Sequence, residues 1–125
     1  KVGADAIVVS NHGGRQLDAG PSAISSLRDI VNECRERITI MMDSGVRSGP
    51  DIARALACGA EFTFLGRAFM YGTAALGSCG GEHTVSILKT QLNQVMEQIC
   101  CKCIRDFPNH LRQHPRSAPG YNDPV

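Results

Sequence analysis

The sequence predicts an α/β chain built on parallel strands, and three observations carry that expectation. Short apolar runs alternate with amphipathic segments along most of the chain. Strand starts lie 32 residues apart (Ala6 to Ile38) and then 24 (Ile38 to Phe62), separations that suit right-handed crossover units. Each run ends in a loop rich in glycine and basic side chains, and the carboxyl ends of parallel strands are where such proteins bind ligands. Two architectures use these units, an open doubly wound sheet or part of an eight-stranded barrel. Three strands cannot close a barrel, so the second requires further strands upstream.

The elements follow in order. Ala6 to Val9 is β-branched and short enough for a buried strand. Ser22 to Glu36 reads as a helix, with Pro21 and Ser22 at its start and Ile24, Leu27, Ile30 and Val31 at helical spacing. Ile38 to Met42 is continuous in apolar character, as strands covered on both faces tend to be. Ser48 to Cys58 is a helix with Pro50 in its first turn and Gly59 as its stop. Phe62 to Leu65 is the third strand. Phe69 to Leu76 and Glu82 to Cys103 read as helices, the latter with Val85, Leu88, Leu92, Val95, Met96 and Ile99 on one stripe. Gln113 to Val125 is rich in Pro, Gly and polar residues and reads as a flexible tail.

Composition narrows the class. A chain of 125 residues, 42% hydrophobic and with a net charge of +1, is a globular domain with no basic footprint for nucleic acid. No apolar run has membrane-spanning length and no signal peptide is visible. The start, Lys1-Val2-Gly3-Ala4-Asp5, reads as lying inside a structural unit of a longer protein. Among six cysteines only Cys100, Cys101 and Cys103 crowd together, whereas a zinc site wants two paired clusters; reduced thiols are expected, with Cys58 in the core.

The chemistry concentrates at strand ends. Ser10-Asn11-His12-Gly13-Gly14-Arg15-Gln16-Leu17-Asp18 places an imidazole and a guanidinium three residues apart, with two glycines between them. An imidazole can take a proton from a hydroxy acid, and a guanidinium can hold a carboxylate through two parallel hydrogen bonds. Asp43-Ser44-Gly45-Val46-Arg47 follows the second strand and Gly66-Arg67 the third. Glycine admits a ligand close to backbone amides, arginine matches phosphate oxygens, and a helix N-terminus lies just beyond each. Surface arginines beside tight turns are the bland alternative, and repetition at consecutive strand ends counts against it. His83, His110 and His114 lack such company and read as structural or exposed.

These motifs together resemble the FMN-dependent α-hydroxy acid oxidases and dehydrogenases, over about residues 1–107. The resemblance implies an FMN-binding (β/α)8 TIM barrel, of which this chain would be the C-terminal part, strands six to eight with their helices, and 108–125 the tail. It implies that His12 is the active-site base and Arg15 a substrate-carboxylate arginine. Asp43, Ser44, Gly45 and Arg47 would line the flavin-binding loop, and Gly66 and Arg67 would complete the phosphate grip. The Asp43-Ser44-Gly45 form and the run Gly66 to Gly72 look closer to the lactate and mandelate dehydrogenases than to the oxidases, so L-lactate is the expected substrate.

The same resemblance implies a homo-oligomer, a tetramer in relatives, in the cytoplasm or at the periphery of the inner membrane, with the electron acceptor left open. The family's lysine near the flavin, its histidine-partner aspartate and its second substrate arginine belong to earlier strands and are not matched here. Relatives usually place a glycine before a cysteine where this chain has Cys100-Cys101-Lys102-Cys103. The alternative expectation is a catalytically inactive barrel fragment retaining only a phosphate or FMN half-site.

Overall fold

A computed structural model describes residues 3–111 of the chain. Strands β1 (Ala6–Val9), β2 (Thr39–Met42) and β3 (Phe62–Thr63) form one parallel sheet in sequence order. Helices α1 (Ala23–Cys34) and α2 (Gly49–Ala57) make the two crossovers, and α3 (Arg67–Leu76) and α4 (Gly80–Gln98) follow β3. A last helical segment of 3-10 type covers Ile104–His110.

Register explains how the sheet divides its residues. Ile7 pairs with Ile40 and Val9 with Met42, and this face packs on Leu27 and Val31 of α1 and Ala55 of α2. Leu27 and Ile40 are fully buried there, each worth about 1.5–3 kcal/mol of burial. On the opposite face Val8 pairs with Met41 and Met41 with Phe62. Val8, Phe62 and Phe64 are exposed, with the two phenyl rings edge-on at 5.1 Å. An apolar layer on the face without helices suits the inside of a barrel.

Helix starts obey local chemistry. The Ser22 hydroxyl accepts from the Ser25 amide at 3.3 Å and caps α1, so the helix begins one residue later than expected. Against α3, α4 packs through two glycines. A Cβ on Gly72 would lie 2.7 Å from the Gly80 carbonyl oxygen, and one on Gly80 would overlap the Gly72 backbone. β3 is shorter than Phe62 to Leu65 because its register sets Phe62 against Met41 and Thr63 against Met42, where β2 ends, although the Phe64 amide still donates to Met42 O at 2.9 Å.

The last long helix stops at Gln98, five residues short of the expected Cys103. The apolar stripe continues through Ile99, but Cys100 turns left-handed at φ 54°. The Cys101 amide then donates to Met96 O at 2.8 Å and the Cys100 amide to Glu97 O at 3.1 Å, a Schellman closure built without glycine. Cys100→Gly is therefore expected to stabilise the full-length protein by about 1 kcal/mol in denaturant unfolding, since a side chain at this backbone angle is strained. An unchanged or lower midpoint would contradict that reading.

Beyond the closure the chain folds back. Cys101 and Phe107 join Ala53 in a second core with Leu92, Val95 and Met96. The boundary expected at residue 107 thus falls within the Ile104–His110 segment, and 112–125, most of the expected tail, lie outside the described residues together with His114. His83 and His110 are exposed. Cys58 is half-buried against the first core, where burial pushes its thiol up against the opposing charge of Arg28. Among the described residues no helix is long and apolar enough to cross a membrane, and no three His, Cys, Asp or Glu side chains gather as metal ligands.

Candidate active site

The carboxyl ends of the three strands open on one side of the sheet, and three loops meet there. The loop after β1 turns left-handed at His12 (φ 55°), Gly13 and Gly14, and the loop after β2 does so at Ser44 (φ 70°) and Gly45. Left-handed backbone is uncommon for residues with a Cβ, and two of the three such residues in the described chain sit here.

Hydrogen bonds tie the loops together across long stretches of sequence. Ser44 Oγ donates to Asp43 Oδ1 at 2.7 Å and accepts from the amides of Gly13 (3.0 Å) and Asn11 (3.3 Å). Ser10 Oγ accepts from the His12 amide at 3.1 Å and lies 3.4 Å from Ser44 Oγ. From the third loop, Arg67 Nη2 donates to Gly13 O at 3.4 Å.

The result is a cleft of about 670 Å³, inside the range of small-molecule sites. It is lined by His12, Arg15, Asp43, Ser44, Gly45, Arg47, Gly66 and Arg67, so every residue singled out from the sequence shares one mouth. Val46, Phe64, Leu65 and Met70 add an apolar wall. The sole ion pair among the described residues is Arg54 with Asp51, at 3.0 Å. Arg15, Arg47 and Arg67 therefore bring three guanidinium charges to the cleft against one carboxylate, Asp43, an arrangement that favours anionic ligands.

The two helix N-termini differ, where the sequence led us to expect the same of both. That of α2 is spent internally. The Asp51 amide donates to Ser48 Oγ (3.3 Å), Asp51 Oδ2 accepts from Ser48 Oγ (2.7 Å) and the Arg47 amide (3.2 Å), and the Gly49 amide donates to Gln91 Oε1 (2.9 Å). Burial pushes the Asp51 carboxyl up, but the Ser48 and Arg47 hydrogen bonds and the Arg54 charge outweigh it and hold the group below its ordinary value. Ionised Asp51 thus steadies α2 at neutral pH, and this contribution fades as pH falls through the lowered value.

The N-terminus of α3 is the opposite case. Its N-cap, Gly66, brings no side-chain cap; the Phe69 amide donates to Gly66 O at 3.1 Å, and among the described residues the Arg67 and Ala68 amides remain donors for an anion. A Cβ at Gly45 or Gly66 would meet nothing within 4 Å among the described residues, so a ligand could come close to the backbone at both loops. Two guanidinia, an uncapped helix start and open backbone suit a phosphate dianion, the charged end of FMN.

Sequence reasoning missed several contributors. The Ser10 hydroxyl's approach to Ser44 and the Gly13 carbonyl carry no signal by themselves, since Ser44 and Arg67 lie far along the chain. The Ser48-x-x-Asp51 spacing was a legible capping signal. Asn11 donates through Nδ2 to Pro21 O at 3.3 Å, and its Oδ1 is buried without a partner among the described residues, beside a second cleft of about 420 Å³ that shares Gly13, Ser44 and Arg67.

Parallel strands, crossover helices and a cationic mouth at the strand ends define an α/β module whose open end suits a phosphorylated ligand. The chain belongs to the family described as FMN-dependent dehydrogenase, whose sequence pattern it matches over residues 1–113.

Three relatives illustrate the likeness. The peroxisomal (S)-2-hydroxyacid oxidase GLO3 of Arabidopsis thaliana is 42% identical over 90% of this chain and 31% of its own length. The L-lactate dehydrogenase of Actinobacillus pleuropneumoniae is 48% identical over 77% of this chain and 25% of its own length. A soluble mutant of the membrane-associated (S)-mandelate dehydrogenase from Pseudomonas putida superposes with a TM-score of 0.83 at 41% identity, over 90% of this chain and 32% of its own. The chain spans about a third or less of the relatives it matches. Its sheet and helices are part of a TIM barrel, and the family's cofactor is FMN.

Proposed function

We propose that the protein containing this chain oxidises an L-2-hydroxy acid to the 2-oxo acid, with L-lactate the favoured substrate. FMN, when bound, supplies the acceptor for the two electrons. His12 takes up one of the two protons the substrate gives up, and Arg15 holds the substrate carboxylate so that its reacting carbon faces one way. Arg47, Arg67 and the start of α3 hold the phosphate, with the backbone of Gly45 and Gly66 beside it. The observation that carries the reading is the single cleft shared by His12, Arg15, Arg47 and Arg67. The likeness to an L-lactate dehydrogenase and the Asp43-Ser44-Gly45 form favour lactate among the acids. Six free thiols support a reducing compartment such as the cytoplasm.

Assaying the full-length protein with L-lactate, mandelate and glycolate tests the substrate class, and no turnover of any of the three would end this reading. Arg67→Ala tests the phosphate assignment. Loss of one charge-assisted contact, about 1.5–3 kcal/mol, should weaken FMN binding roughly tenfold to a hundredfold. Full flavin absorbance in the purified variant after dialysis would remove Arg67 from that role.

A second reading applies to the 125 residues by themselves. They would hold phosphate or FMN without turnover, because the Val8, Phe62 and Phe64 face is exposed without the remaining strands. Turnover by the 125-residue chain alone would refute it.

A further inference from the structure

We propose that Ser44 is a positioning residue whose hydroxyl, together with that of Ser10, holds the His12 loop in the turn that presents the imidazole to the cleft. The inference rests on His12 being the base, and it gives Ser44 a task distinct from contacting FMN.

His12 adopts φ 55° within a run of left-handed residues, a conformation that persists only where its surroundings impose it. Here the constraint is visible. Three successive amides end on two hydroxyls: Asn11 and Gly13 on Ser44, and His12 between them on Ser10. The hydroxyl of Ser44 is oriented by its own donation to Asp43 Oδ1 at 2.7 Å, which turns its lone pairs toward the two amides. With one donor and two acceptor sites, it has no capacity left for a ligand. Ser44 itself sits at φ 70°, where glycine would be unstrained but could make none of these bonds. Because Ser44 belongs to the loop that carries Arg47, it couples the base's loop to the phosphate loop.

The test uses the full-length, FMN-loaded protein with L-lactate, comparing Ser44→Ala, Ser44→Gly and His12→Asn with the parent. Both Ser44 variants should lose about tenfold to a hundredfold in kcat, as expected for a misplaced catalytic group, with flavin content unchanged. Ser44→Gly should melt above Ser44→Ala, since glycine accepts the backbone angle, yet turn over no faster. A role confined to stability predicts instead that turnover recovers with melting temperature, and that result overturns the proposal, as does parental kcat in both variants. Amide hydrogen exchange at Asn11 and Gly13 should accelerate in Ser44→Ala irrespective of the chemistry, and unchanged exchange also overturns it. Parental turnover in His12→Asn would instead refute the base assignment, leaving the exchange result to decide the bracing.

Discussion

His12→Ala in the full-length protein is expected to lower kcat by about 10²- to 10⁴-fold, the usual contribution of a positioned acid or base. That is about 3–5 kcal/mol of transition-state stabilisation. FMN should stay bound, because the residues assigned to its phosphate lie on the other two loops, at Arg47, Gly66 and Arg67. His12→Asn is the sharper variant. Asparagine tolerates the left-handed angle that His12 adopts, so the loop is kept while the base is lost. Stopped-flow reduction of the flavin by L-lactate reads the loss directly. A variant that reduces its flavin at the parental rate would show that the proton goes elsewhere.

Phe107→Ala is expected to destabilise the protein by about 3–5 kcal/mol, the range for emptying a buried aromatic site. Phe107 is among the largest fully buried side chains, 1% exposed, and it closes the second core over Ala53, Leu92, Val95 and Met96. This core holds α4 against α2, and Gln91 of α4 in turn accepts from the Gly49 amide at the start of α2. A shift of the denaturation midpoint equivalent to less than about 1 kcal/mol would mean that the Ile104–His110 segment is dispensable for the fold. A large shift would place the end of the folded unit beyond residue 107.

What the sequence revealed and what it hid divide along a physical line. Local signals were legible. The apolar runs Ala6 to Val9 and Ile38 to Met42, the Ser22 and Pro50 starts and the Gly59 stop all act within a few residues. The site was legible in composition, since glycine, histidine and arginine at strand ends are unusual in concert, and all eight residues converge on one cleft.

What was hidden depends on distant partners or on a residue acting out of type. The Ser44 bonds to Asn11 and Gly13 span 33 and 31 residues, and no pattern announces them. Cys100 takes a backbone angle that glycine usually supplies, so the apolar stripe of α4 pointed beyond the true end of the helix. Phe107 lies between Pro108 and a polar stretch, and its burial comes from α2 and α4 rather than from its neighbours in sequence. The difference between the two helix starts shares that origin only in part: Gln91 reaches Gly49 across 42 residues, whereas Ser48 and Asp51 cap α2 locally.

The most direct measurement is anaerobic. Full-length protein loaded with FMN is mixed with L-lactate, then with D-lactate, and the yellow absorbance of the bound flavin is followed. A mouth that gathers His12, Arg15 and a phosphate grip predicts bleaching with the L acid, none with the D acid, and release of pyruvate equal to the flavin reduced. A bound flavin whose colour no 2-hydroxy acid alters would contradict the account.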